Sequence, residues 1–163
     1  MSAEHLNDYE AKIIDNVAES GCFINYVFDP DGIAPEFGYS VGFTTTVRQP
    51  EVIVFGLPSD LVCFMINETL DQCRGGLRLE NWGEINGLLE GHRCILRSVR
   101  PEAIEREFFN SAMWYHQREF GLPLGKAFQI VWPGTLNRLF PWDDGCSPDV
   151  IEAQRSLYGR RLH

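Results

Sequence analysis

Apolar positions change their period several times along the chain, and each change marks an element. Leu6, Tyr9, Ile13 and Val17 recur at helical spacing and Gly21 offers a stop, which predicts a helix from about Glu4 to Ser20. "CFINYVF" (22–28) reads as a strand and "DPDGIAP" after it as a turn. In "FGYSVGF" (37–43) the alternation sets Phe37, Tyr39, Val41 and Phe43 on one side and Gly38, Ser40 and Gly42 on the other. Glycine inside a strand costs stability. A row of near-absent side chains therefore asks either for a closely packed helix or for a ligand that approaches the backbone. "EVIVFGL" (51–57) suits a central strand buried on both faces.

Ser59 can cap a helix to about Cys73, with Val62, Met65, Ile66, Thr69 and Leu70 on one stripe and Gly75-Gly76 as its end. Leu77 to Val99 holds further strands, of which "HRCILRSV" is the clearest, after a turn at Glu90-Gly91. Pro101 fits the first position of a helix whose stripe, Ile104, Phe108, Ala112 and Tyr115, runs toward Gly121. "KAFQIVW" is the next strand. Ser147-Pro148 opens a last helix that Gly159 would close. The order of elements does not alternate regularly. It predicts one α+β domain with a mainly antiparallel or mixed sheet, about four helices and a core from about residue 4 to 158.

A length of 163 residues allows one core without metal or disulfide staples. The net charge of −9 is spread along the chain and would repel the phosphates of nucleic acids and of anionic membranes, so neither is expected as a partner. No apolar run is long enough to span a bilayer, and the opening "MSAEHLNDYEAK" is polar and acidic, which points to a soluble cytoplasmic protein. A small molecule or another protein is the expected partner, and oligomeric state is left open. The five cysteines at 22, 63, 73, 94 and 146 include no C-x-x-C pair, and reduced, mostly buried thiols are expected. Cys146, behind "FPWDDG", is the one expected in a loop and open to reaction.

No nucleophile elbow, phosphate loop, dinucleotide fingerprint or zinc-protease motif is present. His92 and Cys94 share a strand face, but two ligands are too few for zinc. His116 sits in the aromatic helix end "MWYHQREF" and reads as a packed histidine. No metal is expected and no cofactor is required. The richest stretch is "AFQIVWPGTLNRLFPWDDGC" (127–146). Gln129, between apolar neighbours, must find hydrogen-bond partners, either in a neighbouring loop or in a ligand. Trp132 and Trp142 can wall a pocket and donate from their indoles. Arg138 can clamp an anion, and Asp143 and Asp144 can accept bonds. The alternatives are a core edge for the tryptophans and a plain turn for "DDG". The candidate ligand-binding set is thus Tyr39, Ser40, Gly42, Gln129, Trp132, Arg138, Trp142 and Asp143. It assumes that the strand near 40 and the bend near 140 meet around a shared hollow.

These same residues carry a resemblance. Tyr39 to Gly42, Pro50-Glu51, Gly56-Leu57, Gln129 to Pro133 and Phe140 to Trp142 resemble the motifs of a bacterial family, domain of unknown function 4262. Gln49 stands where that family commonly has histidine, and Gly134 where it commonly has aspartate. The resemblance implies a family and a fold class and brings no reaction with it. The functional expectation is a small-molecule or peptide binding module with an aromatic-lined pocket. One alternative is a flavin-dependent or other small-molecule enzyme. Its order of elements loosely resembles flavin-reductase split barrels, with Thr44 to Thr46 offered to the phosphate of FMN. Another is a regulatory or immunity-type partner that acts through its acidic surface.

Overall fold

In the computed structural model, which describes residues 5–159, the chain builds one six-stranded mixed sheet with helices on both faces. Helix α1 (Asp8–Ser20) begins later than its apolar period suggests, because Asn7 and Glu10 form a reciprocal cap. Gly21 closes it in the left-handed region, φ 93°. Glu4, where the helix was expected to start, lies outside the described residues, as does His163.

Strands β1 (Phe23–Val27) and β2 (Phe37–Val41) pair antiparallel. The second ends two residues before the alternation does. Gly42, at φ 110°, turns the chain into the short helix α2 (Phe43–Thr46), and Phe43 crosses to the opposite face of the sheet from Tyr39 and Val41. Strand β3 (Glu51–Phe55), buried throughout, follows as expected. It leads into α3 (Ser59–Arg74), for which Pro58, not Ser59, is the N-cap. Strands β4 (Glu84–Leu89) and β5 (His92–Ser98) form a hairpin. A 3-10 turn (Pro101–Ala103), which takes up the proline, precedes α4 (Arg106–Phe120). Strand β6 (Ala127–Val131) and α5 (Pro148–Ala153) complete the set. The last helix stops well short of Gly159. The Gln154 amide bonds the backbone of Trp132 in both directions, and Leu157 N–H bonds Gln129, so the segment beyond 153 is drawn out along the sheet.

The strand order is β1-β2-β3-β6-β5-β4, and only the β3–β6 pair is parallel. One face, with Tyr39, Ile53, Phe55 and Ala127, packs against α1 and α4. The other, with Val52, Val54, Leu96 and Phe128, packs against α3. The glycine row follows from the helix layers on both faces. A Cβ on Gly38 would stand 2.7 Å from Val62 Cγ1 of α3, and one on Gly42 would stand 2.8 Å from Val17 of α1. Close packing, not an approaching ligand, keeps these positions small. Among the described residues no helix is long and apolar enough to cross a membrane.

Candidate functional site

The sheet register puts Tyr39, Ile53, Gln129 and Arg97 in one row across β2, β3, β6 and β5. Three different covers lie over that row. Tyr39, 1% exposed, sits beneath α4, and its Oη accepts from Asn25 Nδ2 at 2.8 Å and from Ser111 N at 2.9 Å. Gln129 is wholly buried beneath the C-terminal segment, where Nε2 donates to Arg155 O and Oε1 accepts from Leu157 N. Of its two possible partners, loop or ligand, the structure shows the loop. Trp132 lies on the opposite face with the α3 layer, its indole N–H donating to Phe55 O at 2.8 Å. Tyr39, Gln129, Trp132 and Trp142 therefore do not surround one hollow.

Trp142 belongs to a third cluster with Phe140, Ile95, Val131 and Tyr158. Its ring stacks on Phe140 at 5.2 Å between centroids and meets Trp82 and Tyr158 edge-on. The Arg97 guanidinium fills the space between them, 3.7 Å from the Trp82 ring and 4.6 Å from that of Tyr158. Burial holds the Arg97 pKa below its ordinary value. Asp143 is engaged locally, accepting from Phe140 N at 2.8 Å, so "FPWDD" forms a closed turn. Arg138 is exposed on the rim at φ 59°. Cys146, expected to be reactive, is buried instead, and burial raises the pKa of its thiol.

Ser40 and Gly42 join a feature that the sequence reading passed over. Glu51, 1% exposed at the start of β3, accepts from Ser40 Oγ (2.7 Å), Gly42 N (2.8 Å) and Phe43 N (3.1 Å). Its carboxylate thereby closes the β2–α2 turn and occupies the first amides of α2. Burial pushes its pKa up to about 7 against the pull of these donors. The same geometry leaves the Thr44 to Thr46 turn few free donors for the phosphate of FMN. The turn's amides already hold Glu51, Thr45 Oγ1 accepts from Tyr115 Oη, and Thr46 Oγ1 donates to Gly21 O. Only Thr44 Oγ1 has no partner.

A more open site lies between α1 and α4. This groove of about 670 Å³ is lined by Tyr9, Ile13, Met113 and Trp114, with Asn7, Glu10, Arg106, Asn110, Gln117 and Arg118 among its polar groups and Ser111 in its floor. Ser111 Oγ, deeply buried, is 2.8 Å from Tyr9 Oη and 3.2 Å from Asn25 Nδ2, and the same Asn25 amide reaches Tyr39. A break in α4 at Phe109 (φ −137°, ψ 25°) accompanies the meeting of Ser111 N–H with the Tyr39 hydroxyl. The floor is thus a chain of neutral donors and acceptors beneath aromatic walls. It suits a ligand with an apolar body and hydrogen-bonding groups. Among the described residues no group of three His, Cys, Asp or Glu is placed to hold a metal. Of the sequence-based candidates only Tyr39 touches this floor. Ser111, a polar interruption in an otherwise apolar helix stripe, was the legible sign of the remainder.

No curated protein and no solved structure matches the chain. A family model described as Domain of unknown function (DUF4262) matches residues 16–147, from the middle of α1 to the end of the Trp142 turn. That span takes in the Glu51 turn, Gln129 and both tryptophan–proline corners, and it covers most of the 163 residues. The chain therefore belongs to the family of domain of unknown function 4262.

Proposed function

We propose that the protein is a binding module whose ligand, a small molecule with an apolar or aromatic body, lies in the groove between α1 and α4. One observation carries the reading. A buried chain of neutral hydrogen-bonding groups, Tyr9, Ser111, Asn25 and Tyr39, ends in the floor of a groove with aromatic walls, of a volume suited to a metabolite-sized ligand. Trp114 supplies the stacking wall, and Asn110 and Gln117 the rim contacts that fix orientation. Native mass spectrometry of protein purified from its own host, beside the Trp114→Ala variant, tests this. Trp114 is only partly buried, so the variant is expected to fold. A compound retained by the parent and lost from the variant is the expected result. A compound retained equally by both would place the ligand elsewhere.

A second reading, a protein partner, has its own support at the other end of the sheet. Trp82 is 54% exposed and, with Trp142, Tyr158 and Arg97, forms a surface of the residue types that dominate interface hot spots. Trp82→Ala would abolish capture of a partner from host lysate if that face is the interface and leave capture intact if it is not.

A further inference from the structure

We infer that a second site, separate from the α1–α4 groove, takes a small organic anion. It is a cavity of about 410 Å³ between the end of α2, the last turns of α4 and the loop before β6. Its charged and titratable wall residues are Arg48, Lys126 and His116, and its apolar ones include Pro50, Phe120 and Leu124. No carboxylate lines it, although the chain carries 23 acidic residues against 14 basic ones.

The acids nearest in sequence are turned away: Glu51 onto Ser40, Gly42 and Phe43, and Glu119 onto Arg118. Arg74, Arg93, Arg100, Arg118 and Arg155 each have a carboxylate partner. Arg48 and Lys126 form no ion pair among the described residues. Two cations beside a concave surface, without a carboxylate partner among the described residues, supply the field that concentrates an anion.

One further group favours this ligand. Thr44, in the cavity wall, has a hydroxyl shut off from solvent and without a partner. A buried hydroxyl in that state lacks an acceptor for its proton, which an anion would provide once the Thr44 side chain turns into the cavity. The His116 ring nitrogen Nδ1 donates to Leu122 O at 2.8 Å, which holds the ring in the cavity wall. Arg48 is held at φ 57°, a conformation that a side chain adopts at a cost. The Gln49 side chain, also in this wall, accepts from Leu79 N and holds the segment against the α3–β4 connection. Phe120, exposed beside Leu124, offers an apolar surface for the body of the ligand. The class is therefore a carboxylate or phosphate monoester on a compact apolar or aromatic group, with the fork of Arg48 on its oxygens.

Amide NMR titration of the full chain tests this with benzoate and phenyl phosphate, with benzyl alcohol as the neutral counterpart and inorganic phosphate as the anion without a body. The expected result is saturable shifts at Thr44 to Gln49 and Leu124 to Lys126 with both organic anions. The Arg48→Gln/Lys126→Gln variant, altered only at exposed positions, should weaken that binding by roughly tenfold or more at an unchanged melting temperature. Equal binding of benzyl alcohol, or full affinity in the double variant, would overturn the assignment. Inorganic phosphate binding as tightly as phenyl phosphate would overturn its organic part. Trp114→Ala should leave the anion titration unchanged, so failure here and failure of the groove reading are distinguishable.

Discussion

The Glu51 carboxylate makes a quantitative test possible, because a fully buried acid in a ring of donors is pulled both ways. Removal from water disfavours its charge, while Ser40 Oγ–H and the amides of Gly42, Phe43 and Thr44 favour it. No cation stands among the groups that act on it, and burial prevails, placing the pKa at about 7 against an ordinary 4.5. Between those two values the unfolded chain has released the proton and the folded chain has not. The folded state is therefore favoured at low pH, and this contribution is lost as pH rises through about 7. At about 1.4 kcal/mol for each pKa unit, the loss between pH 4.5 and 7 amounts to roughly 3 kcal/mol.

Glu51→Gln is as neutral as the protonated acid, but its NH2 group, with no acceptor face, must meet an N–H such as that of Gly42 or Phe43. It should be less stable than the parent at pH 5, by about 1–3 kcal/mol. It cannot ionise, so the parent should lose roughly 3 kcal/mol relative to it by pH 8, which closes the gap or reverses its sign. Urea unfolding, followed by tryptophan fluorescence at several pH values for both proteins, measures the difference. Groups that do not feel the Glu51 charge cancel in that difference, and Cys22 and Tyr115, which do feel it, are pushed above the pH range measured. Stability curves that stay parallel from pH 5 to pH 8 would show that the donors, not burial, set the pKa.

Two other outcomes follow from the packing. Gln129→Ala removes both partners of the C-terminal segment, leaving Leu157 N–H and Arg155 O without their bonds. It should cost about 2–4 kcal/mol and speed hydrogen exchange at Leu157, and an unchanged Leu157 amide would show that the segment is held by other contacts. Gly38→Ala sets a methyl against Val62 of α3 at 2.7 Å, so chemical denaturation should show a loss of about 1–3 kcal/mol; a neutral effect would mean that α3 shifts without cost.

The fold was legible where local pattern and tertiary demand agreed. The strand runs at 22–28, 51–57 and 92–99 and the stripes of α3 and α4 needed only periodicity, and the irregular order of elements sufficed for a mixed, mainly antiparallel sheet. Legibility failed where a long-range bond ends an element. Alternation continues through Phe43, yet Glu51 reaches from the next strand to Gly42 and Phe43 and turns the chain into α2. Helical pattern continues toward Gly159, yet the Gln154 bonds to Trp132 stop α5 at Ala153.

The assumption of one shared hollow failed for a related reason. Tryptophans, an amide and an arginine close together in sequence look convergent, but strand alternation sends Val131 and Trp132 to opposite faces of the sheet, where separate layers claim them. The α1–α4 groove and the Arg48 cavity are instead assembled from helix and loop surfaces whose residues lie far apart in the chain: Tyr9 with Trp114 in one, Arg48 with His116 and Lys126 in the other. Sequence proximity cannot reveal such pairs. A polar residue that breaks an apolar helix stripe, as Ser111 does, is the local trace they leave, because a hydroxyl in that position has to meet partners from another element.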